Sequence, residues 1–404
     1  MKSKMFSVVM GVLGLWLVGG AGPTLSSADS LYVAANDADS VVKFDGATGA
    51  LIGTFGSAGG GGRPYGLTCA PNGNLLMTRE ETDQVVEFDN ATGALVGVFA
   101  TTALNNPTGL TVGPNGNLFV ANRDSGNVVE FNGTTGAFVR TFASGLPGAP
   151  FSLAFGPNGN LFVAMGFGGG GAVELNGTTG AFVRIFPTSG DPRGLTFGPN
   201  GNLFVALLDT NAVAEFDITT GALVRTFSGG LAHPHGVTFG PNGNLFVADF
   251  ATGQVVEFDS ASGALRGPFV TSGLTNPIEL KFGPSSGPCG PLVVGIDIKP
   301  GSFPNSINPK SKGKIPVAIL TTNTFDATTV DPTTVLFGAT GTEAALVQSA
   351  HEDVDLDGDT DMILHFNTQD TGIVCGATSA SLTGETFGGQ AINGSDSINT
   401  VECK

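Results

Sequence analysis

The sequence predicts an all-β protein: a six-bladed β-propeller closed by pairing strands from its two ends, then a small β-sandwich-like domain. Three observations predict it. The string GPNGNLFVA recurs with small changes, its proline falling at Pro71, Pro114, Pro157, Pro199 and Pro241, with a degenerate copy at Pro284. The spacings are 43, 43, 42, 42 and 43 residues, the length of one four-stranded blade. The array also starts and stops out of phase: it opens on Leu31-Tyr32-Val33-Ala34, which is second-strand sequence, and ends on residues 278–282, which are first-strand sequence. A last strand that completes the sheet begun by the first three ties the ring with hydrogen bonds and hides two edges.

Each repeat divides into short strands. In one copy, residues 109–112 form a first strand, and Gly113-Pro114-Asn115-Gly116 turns because Pro presets φ while Gly takes the left-handed conformation. Strands follow at 118–121, 128–131 and 137–142, β-branched and aromatic runs too short for helices. A hydroxyl residue plus Gly marks each third-to-fourth turn: Thr48-Gly49, Thr92-Gly93, Thr135-Gly136, Thr179-Gly180, Thr220-Gly221 and Ser262-Gly263. The third strands carry Phe44, Phe88, Phe131, Leu175, Phe216 and Phe258, and the fourth end in Phe55, Phe99, Phe142, Phe186, Phe227 and Phe269. Burying one such side chain is worth roughly 1.5–3 kcal/mol. One sheet cannot bury both its faces alone, whereas blades stacked around a ring can. Glu87, Glu130, Glu174, Glu215 and Glu257 also recur once per blade, with Lys43 breaking the series. A residue repeated on every blade reads as structural.

Composition sets the setting. The 404 residues suffice for two or three domains. A net charge of -17 offers no basic patch for nucleic acid or anionic membranes and suits attraction of cations. Residues 1–28 read as a secretory signal: Lys2 and Lys4, then an apolar run to Val18, then Ser26-x-Ala28 for cleavage. The mature chain is expected to begin near Asp29, to be exported to the periplasm or the medium, to insert in no membrane and to be a monomer. Cysteines remain at Cys69, Cys289, Cys375 and Cys403. Export permits disulfides, and Cys375 with Cys403 is the expected pair. Cys69 replaces an apolar core residue and reads as a buried thiol.

The string GLTVGPNGNLFVANRDSGNVVEF and its copies, over residues 29–288, resemble NHL-repeat propellers, a group that includes regucalcin/gluconolactonase-like proteins and streptogramin lyases. The resemblance implies the propeller fold. It leaves chemistry open, because the group holds metal-dependent lactonases, a lyase and modules that only bind partners. Ligands of propellers sit at one mouth of the central channel. The residue before each first strand varies (Tyr65, Thr108, Phe151, Arg193, His235, Ile278), as does the residue after each second strand (Ala35, Arg79, Asn122, Met165, Leu207, Asp249). Tyr65, Arg79, Asn122, Arg193, His235 and Asp249 are the candidate ligand-binding set. His233 and His235 with Asp249 would suit metal or acid–base work. No Glu falls where it would complete the lactonase metal set, and no nucleophile elbow, His-Glu-x-x-His or phosphate loop is present.

Residues 283–291 read as a linker, and 289–404 as the second domain, with β-rich runs at 292–298, 315–321, 335–338 and 362–366. Its stretches IDIKPGSFPNSINPKSKGKIPVAILTT and LHFNTQDTGI resemble a C-terminal module of exported bacterial proteins. Asp353, Asp355, Asp357, Asp359 and Asp361 alternate around Gly358, a spacing of oxygen donors that suits structural calcium. Position 12 is Leu364, not Glu, so the loop resembles the β-hairpin calcium loops of integrin-type propellers rather than an EF-hand. The functional expectation is a secreted binding or scaffold protein for a small molecule, glycan or protein. The alternative is a hydrolase or lyase acting on lactones or cyclic esters at the channel mouth.

Overall fold

The computed structural model describes residues 29–36, 39–284, 287–322, 325–386 and 391–403. The expected signal segment lies outside them. Among the described residues no helix is long and apolar enough to cross a membrane.

Six four-stranded antiparallel sheets form the propeller. The repeat parsed above becomes strands Pro107–Val112, Leu118–Asn122, Asn127–Phe131 and Phe138–Ala143, in that order from the axis outward. The closing blade takes its innermost strand, Pro277–Pro284, from the end of the array and Asp29–Ala35, Ser40–Asp45 and Leu51–Ser57 from its start. Leu31 pairs with Phe282, Tyr32 with Lys281 and Val33 with Leu280.

The six innermost strands read Pro-x-Gly-Leu-Thr-Phe with substitutions, and each packs against the next around the ring, Pro277–Pro284 against Pro64–Cys69 included. Leu67, Leu110, Leu153, Leu195, Val237 and Leu280 are buried between blades. The glycine one position earlier permits the approach: a Cβ on Gly109 would stand 2.7 Å from the Phe151 carbonyl oxygen of the next inner strand. Fourth-strand Phe142, Phe186 and Phe227 are buried as expected, but the fourth strands of five blades leave Leu51, Val96, Val139, Phe182 and Val224 exposed on the circumference.

The repeated glutamates are turn clamps. Glu130 Oε1 accepts from Asn115 and Asn117 Nδ2 at 2.9 and 2.8 Å, holding the Pro-Asn-Gly-Asn turn of its own blade. Glu87, Glu174, Glu215 and Glu257 do the same. In three blades an arginine extends the clamp outward. Arg140 Nε donates to Glu130 Oε2 at 2.6 Å while Nη2 reaches the Thr178 carbonyl of the next blade, and Arg184 and Arg225 repeat the pattern. Lys43 breaks the series because the first two strands of its blade come from opposite chain ends, so no such turn joins them.

The C-terminal region holds an eight-stranded sheet that curls on itself. Its strand Ala344–Glu352 turns the corner: Ala344 and Ala345 pair with Val330–Gly338, and Leu346 onward with Asp361–Asn367. Ile298, Val317, Phe337, Leu364, Phe366 and Leu382 fill one core inside the curl. Strands Ala344–Glu352, Ser379–Thr386 and Ala391–Ser397 were not expected. Ala344–Glu352 is largely exposed and lacks the alternation of a half-buried strand, and the other two are built mostly of small and polar residues.

Two disulfides join Cys375 to Cys403 and Cys69 to Cys289. The second corrects the reading of Cys69 as a buried thiol. Cys69 ends an inner strand, and the chain leaving the last blade passes directly over it, with Cys289 N donating to Asn90 Oδ1. Two bridges fit an oxidising compartment.

Replacing Glu174 by Ala strands Asn158, Asn160 and Arg184, and a loss of about 2–3 kcal/mol is expected in urea unfolding. Burial raises the Glu174 pKa, but bonds from Asn160, Arg184 and Asn158 outweigh it and leave the pKa depressed. The clamp therefore contributes above the unfolded glutamate pKa of about 4.3 and is lost as pH falls through the lower folded value. The wild-type advantage over Glu174→Ala should be full at pH 7 and shrink below about pH 4. An advantage that does not change with pH would contradict the clamp.

Candidate ligand site at the channel mouth

The twelve variable positions divide by role. Those before the inner strands converge on the axis, because each sits where its strand enters the ring. Tyr65, Phe151 and Ile278, from three blades, pack together there, with Phe250 against them. Tyr65 stands 5.9 Å from Phe151 and 6.2 Å from His235 between ring centroids. His235 stacks on Phe250 at 4.9 Å. Arg193 lies over Phe151 at 3.9 Å and Phe167 at 4.6 Å, within cation–π range.

The positions after the second strands brace loops. Arg79 makes a two-pronged pair with Asp39, Nη2–Oδ2 at 2.5 Å and Nε–Oδ1 at 3.2 Å, and both groups are buried. Asn122 accepts from Asn105 N and donates to the Ala103 carbonyl. Asp249 Oδ2 accepts from Ala232 N at 2.8 Å, holding the loop that carries His233. So Tyr65, Arg193 and His235 come together, while Arg79, Asn122 and Asp249 stand behind them as struts. His233 is exposed and takes a left-handed φ of 64°. Among the described residues the propeller holds no group of three clustered His, Cys, Asp or Glu ligands.

Tyr65 Oη, Arg193 Nε and His235 Nδ1 are buried at this mouth without a hydrogen-bond partner, as is Asp249 Oδ1 behind them. Burial raises the Tyr65 pKa, and burial, then the Arg193 charge, pulls His235 down to about 3. Both side chains are therefore neutral at physiological pH. Arg193 pairs with Asp191 at 2.5 Å, whose other oxygen accepts from Phe167 N. A cleft opens beside this pair, lined by Met165, Phe167, Asp191 and Asp209 among others. Phe167, Phe250 and Asp191 were missed in the sequence. Each lies one residue outside a strand, where the repeat no longer aligns.

In the C-terminal loop, oxygens of Asp353, Asp355 and Asp361 lie within 4.8 Å of one another. Asp361 is fully buried and accepts from Thr321 N and Val354 N, whereas Asp353 Oδ1 is buried with no partner. Asp357 and Asp359 stand outside this cluster, and Asp357 Oδ1 accepts from Asp359 N within the loop.

Since His235 is protonated in the unfolded chain below about pH 6.5 but not in the fold until near pH 3, it withdraws stability as pH falls between these values. His235→Phe should gain on the order of 1–2 kcal/mol over wild type at pH 5 and nothing at pH 8. A His235 imidazole that titrates near 6.5 by NMR would contradict its burial.

No curated protein matches this chain. Among solved structures, a nidogen/laminin complex superposes with a TM-score of 0.55 at 18% identity, over 63% of this chain and 98% of that one. A protein of unknown function from Bacteroides caccae gives 0.52 at 16% identity, over 63% and 98%. Virginiamycin B lyase from Staphylococcus aureus gives 0.50 at 16% identity, over 66% and 92%. At these identities the likeness is one of fold. The model of the virginiamycin B lyase family matches residues 52–267, more than half of the sequence, and the chain belongs to that family.

Proposed function

We propose that this protein is an exported ligand-binding propeller, with a second domain stiffened by calcium. The observation that carries the reading is the trio of unpartnered polar atoms on Tyr65, Arg193 and His235 inside an aromatic wall. Buried polar groups without partners cost about 1–3 kcal/mol each, and a ligand that meets them recovers that cost. Flat rings around a few convergent polar groups suit an aromatic or sugar-like ligand with hydrogen-bonding edges. A thermal-shift panel of such compounds on wild type and His235→Ala tests it. Stabilising ligands whose effect falls at least tenfold in affinity in the variant support the reading. Hits that bind both proteins equally sink it.

A second reading rests on family membership and on a neutral imidazole whose ring lies 6.2 Å from that of Tyr65. A lyase or hydrolase of lactones or cyclic esters needs a proton acceptor and a proton donor, and His235 and Tyr65 could serve. Turnover of a streptogramin B substrate or a lactone panel, abolished in His235→Ala, would favour the enzyme. Saturable binding without turnover would favour the binder.

Calcium is proposed for Asp353, Asp355 and Asp361, hard oxygen donors of the type the ion takes, with Asp353 Oδ1 left for it. Calcium at a hundred times its dissociation constant should stabilise the second domain by about 2.7 kcal/mol, and Asp355→Ala should remove that gain. Calorimetry of the full chain showing the same melting with calcium and with chelator would end the assignment.

A further inference from the structure

The blades are copies, and a place where one copy is smaller than the others leaves room. The third strand of each blade turns alternate residues toward the preceding blade. Val42, Val86, Val129, Val173 and Val256 hold one such position in five blades, and Ala214 holds it in the sixth. The register is the same: Val86 pairs with Val98, Val129 with Thr141 and Val173 with Ile185 of the fourth strand, as Ala214 pairs with Thr226. Ala214 and Phe216 accordingly share a cluster with Phe162 and Phe186 of the preceding blade.

Two residues earlier, the same face carries Gln84, Asn127 and Gln254 in three blades but Ala212 here. In two of those blades a polar bridge closes the end of the face. Arg79 Nη1 donates to Gln84 Oε1 at 3.0 Å, and Asn122 Nδ2 donates to Asn127 Oδ1 at 3.0 Å. In the blade of residues 192–228 the corresponding pair is Leu207 opposite Ala212, which has no polar group to bridge with.

A pocket of about 240 Å³ lies where these smaller residues stand, between this blade and the one before it. Leu207, Ala212, Ala214 and Phe216 line it as buried residues, and Pro187 at the end of the preceding outer strand lines it too. Thr226 and Ser228 are exposed lining residues and bring hydroxyls to it. No lining residue is charged. Thr188 and Ser189 also line the cleft beside Asp191, which by contrast carries the carboxylates of Asp191 and Asp209.

We propose that this interblade pocket binds one small uncharged molecule, a six-membered ring with an apolar body and a single hydroxyl-type edge. An apolar cavity of roughly 150 Å³ already accepts a benzene-sized guest, so the larger pocket has room for a ring and its substituent. The apolar body covers Ala214, Phe216 and Leu207, and the Thr226 and Ser228 hydroxyls can donate to or accept from the polar edge. A charged ring would lose hydration and meet no counter-charge among the lining residues. The pocket shares no residue with the aromatic wall of the mouth and does not depend on what binds there.

Titration of the full chain with cyclohexanol, followed by amide chemical shifts, tests the proposal. Saturable shifts should centre on residues 212–216 and 226–228. Ala214→Val installs the residue that the other five blades carry, so it should melt no lower than wild type and should weaken binding at least tenfold. Ala212→Gln copies Gln84 and Gln254, should weaken binding comparably, and decides the matter if Ala214→Val does not fold. Asp209→Asn, in the neighbouring cleft, should bind as wild type does. Cyclohexanecarboxylate should bind at least tenfold more weakly than the alcohol. No saturable shift in the wild type, unchanged affinity in a folded Ala214→Val protein, or equal binding of the carboxylate overturns the site.

Discussion

The closed ring of six inner strands is the constraint on which the rest depends. Each blade has two apolar faces and no partner of its own for either. The blade clusters, such as that of Phe204, Val237, Val247 and Phe258, are built from two neighbours at once. Hydrophobic burial of this kind is non-directional. What makes the ring a specific object is the backbone approach at its centre. Glycine at four of six positions lets consecutive inner strands touch main chain to main chain, and Glu–Asn clamps hold the turns at the far ends. The Cys69–Cys289 bridge then ties the exit of the chain to the blade beside the closure.

The propeller was legible in the sequence because its physics repeats. Five turns of one composition, a fixed period and two mismatched half-repeats leave little choice of topology, and Tyr32 opposite Lys281 is what the phase of the ends required. Even the structural role of Glu130 and its copies followed from repetition alone. The second domain was less legible. Ser379–Thr386 and Ala391–Ser397 are strands of Ser, Gly, Thr and Asn, ordered by pairing to distant segments, and local composition does not carry that signal. Cys69 misled for a related reason: its apolar neighbours are real, but its bonding partner arrives from 220 residues away.

At the mouth, variability pointed to twelve positions but could not separate two structural roles among them. Tyr65, Arg193 and His235 reach the axis, whereas Arg79, Asn122 and Asp249 spend their polar atoms on Asp39, Ala103 and Ala232. A strut and a ligand contact look alike in sequence, since both depart from the repeat. They differ in whether their polar atoms are satisfied within the protein. Arg79 and Asn122 are satisfied within the protein, whereas Tyr65, Arg193 and His235 keep orphaned atoms beside the aromatic wall; Asp249 is mixed, its Oδ2 holding Ala232 N and its Oδ1 left without a partner.

A ring built from copies tends toward equal blades, and an asymmetric ligand needs unequal ones. The closing blade is where equality is easiest to break. Its first two strands are joined by no turn, so the Pro-Asn-Gly-Asn sequence and its glutamate are not needed, and Lys43 stands in the glutamate's place. The same freedom extends to its inner strand. Glycine at the central level serves the approach of neighbours, but a larger residue is admitted where the neighbouring glycine leaves a gap for its side chain. Glu279 occupies such a gap beside Gly236, and Lys281 follows at the next level because alternate residues share a side of the strand. Closure, which holds the fold together, is thus also what admits the Glu279 carboxyl among the glycines of the inner strands.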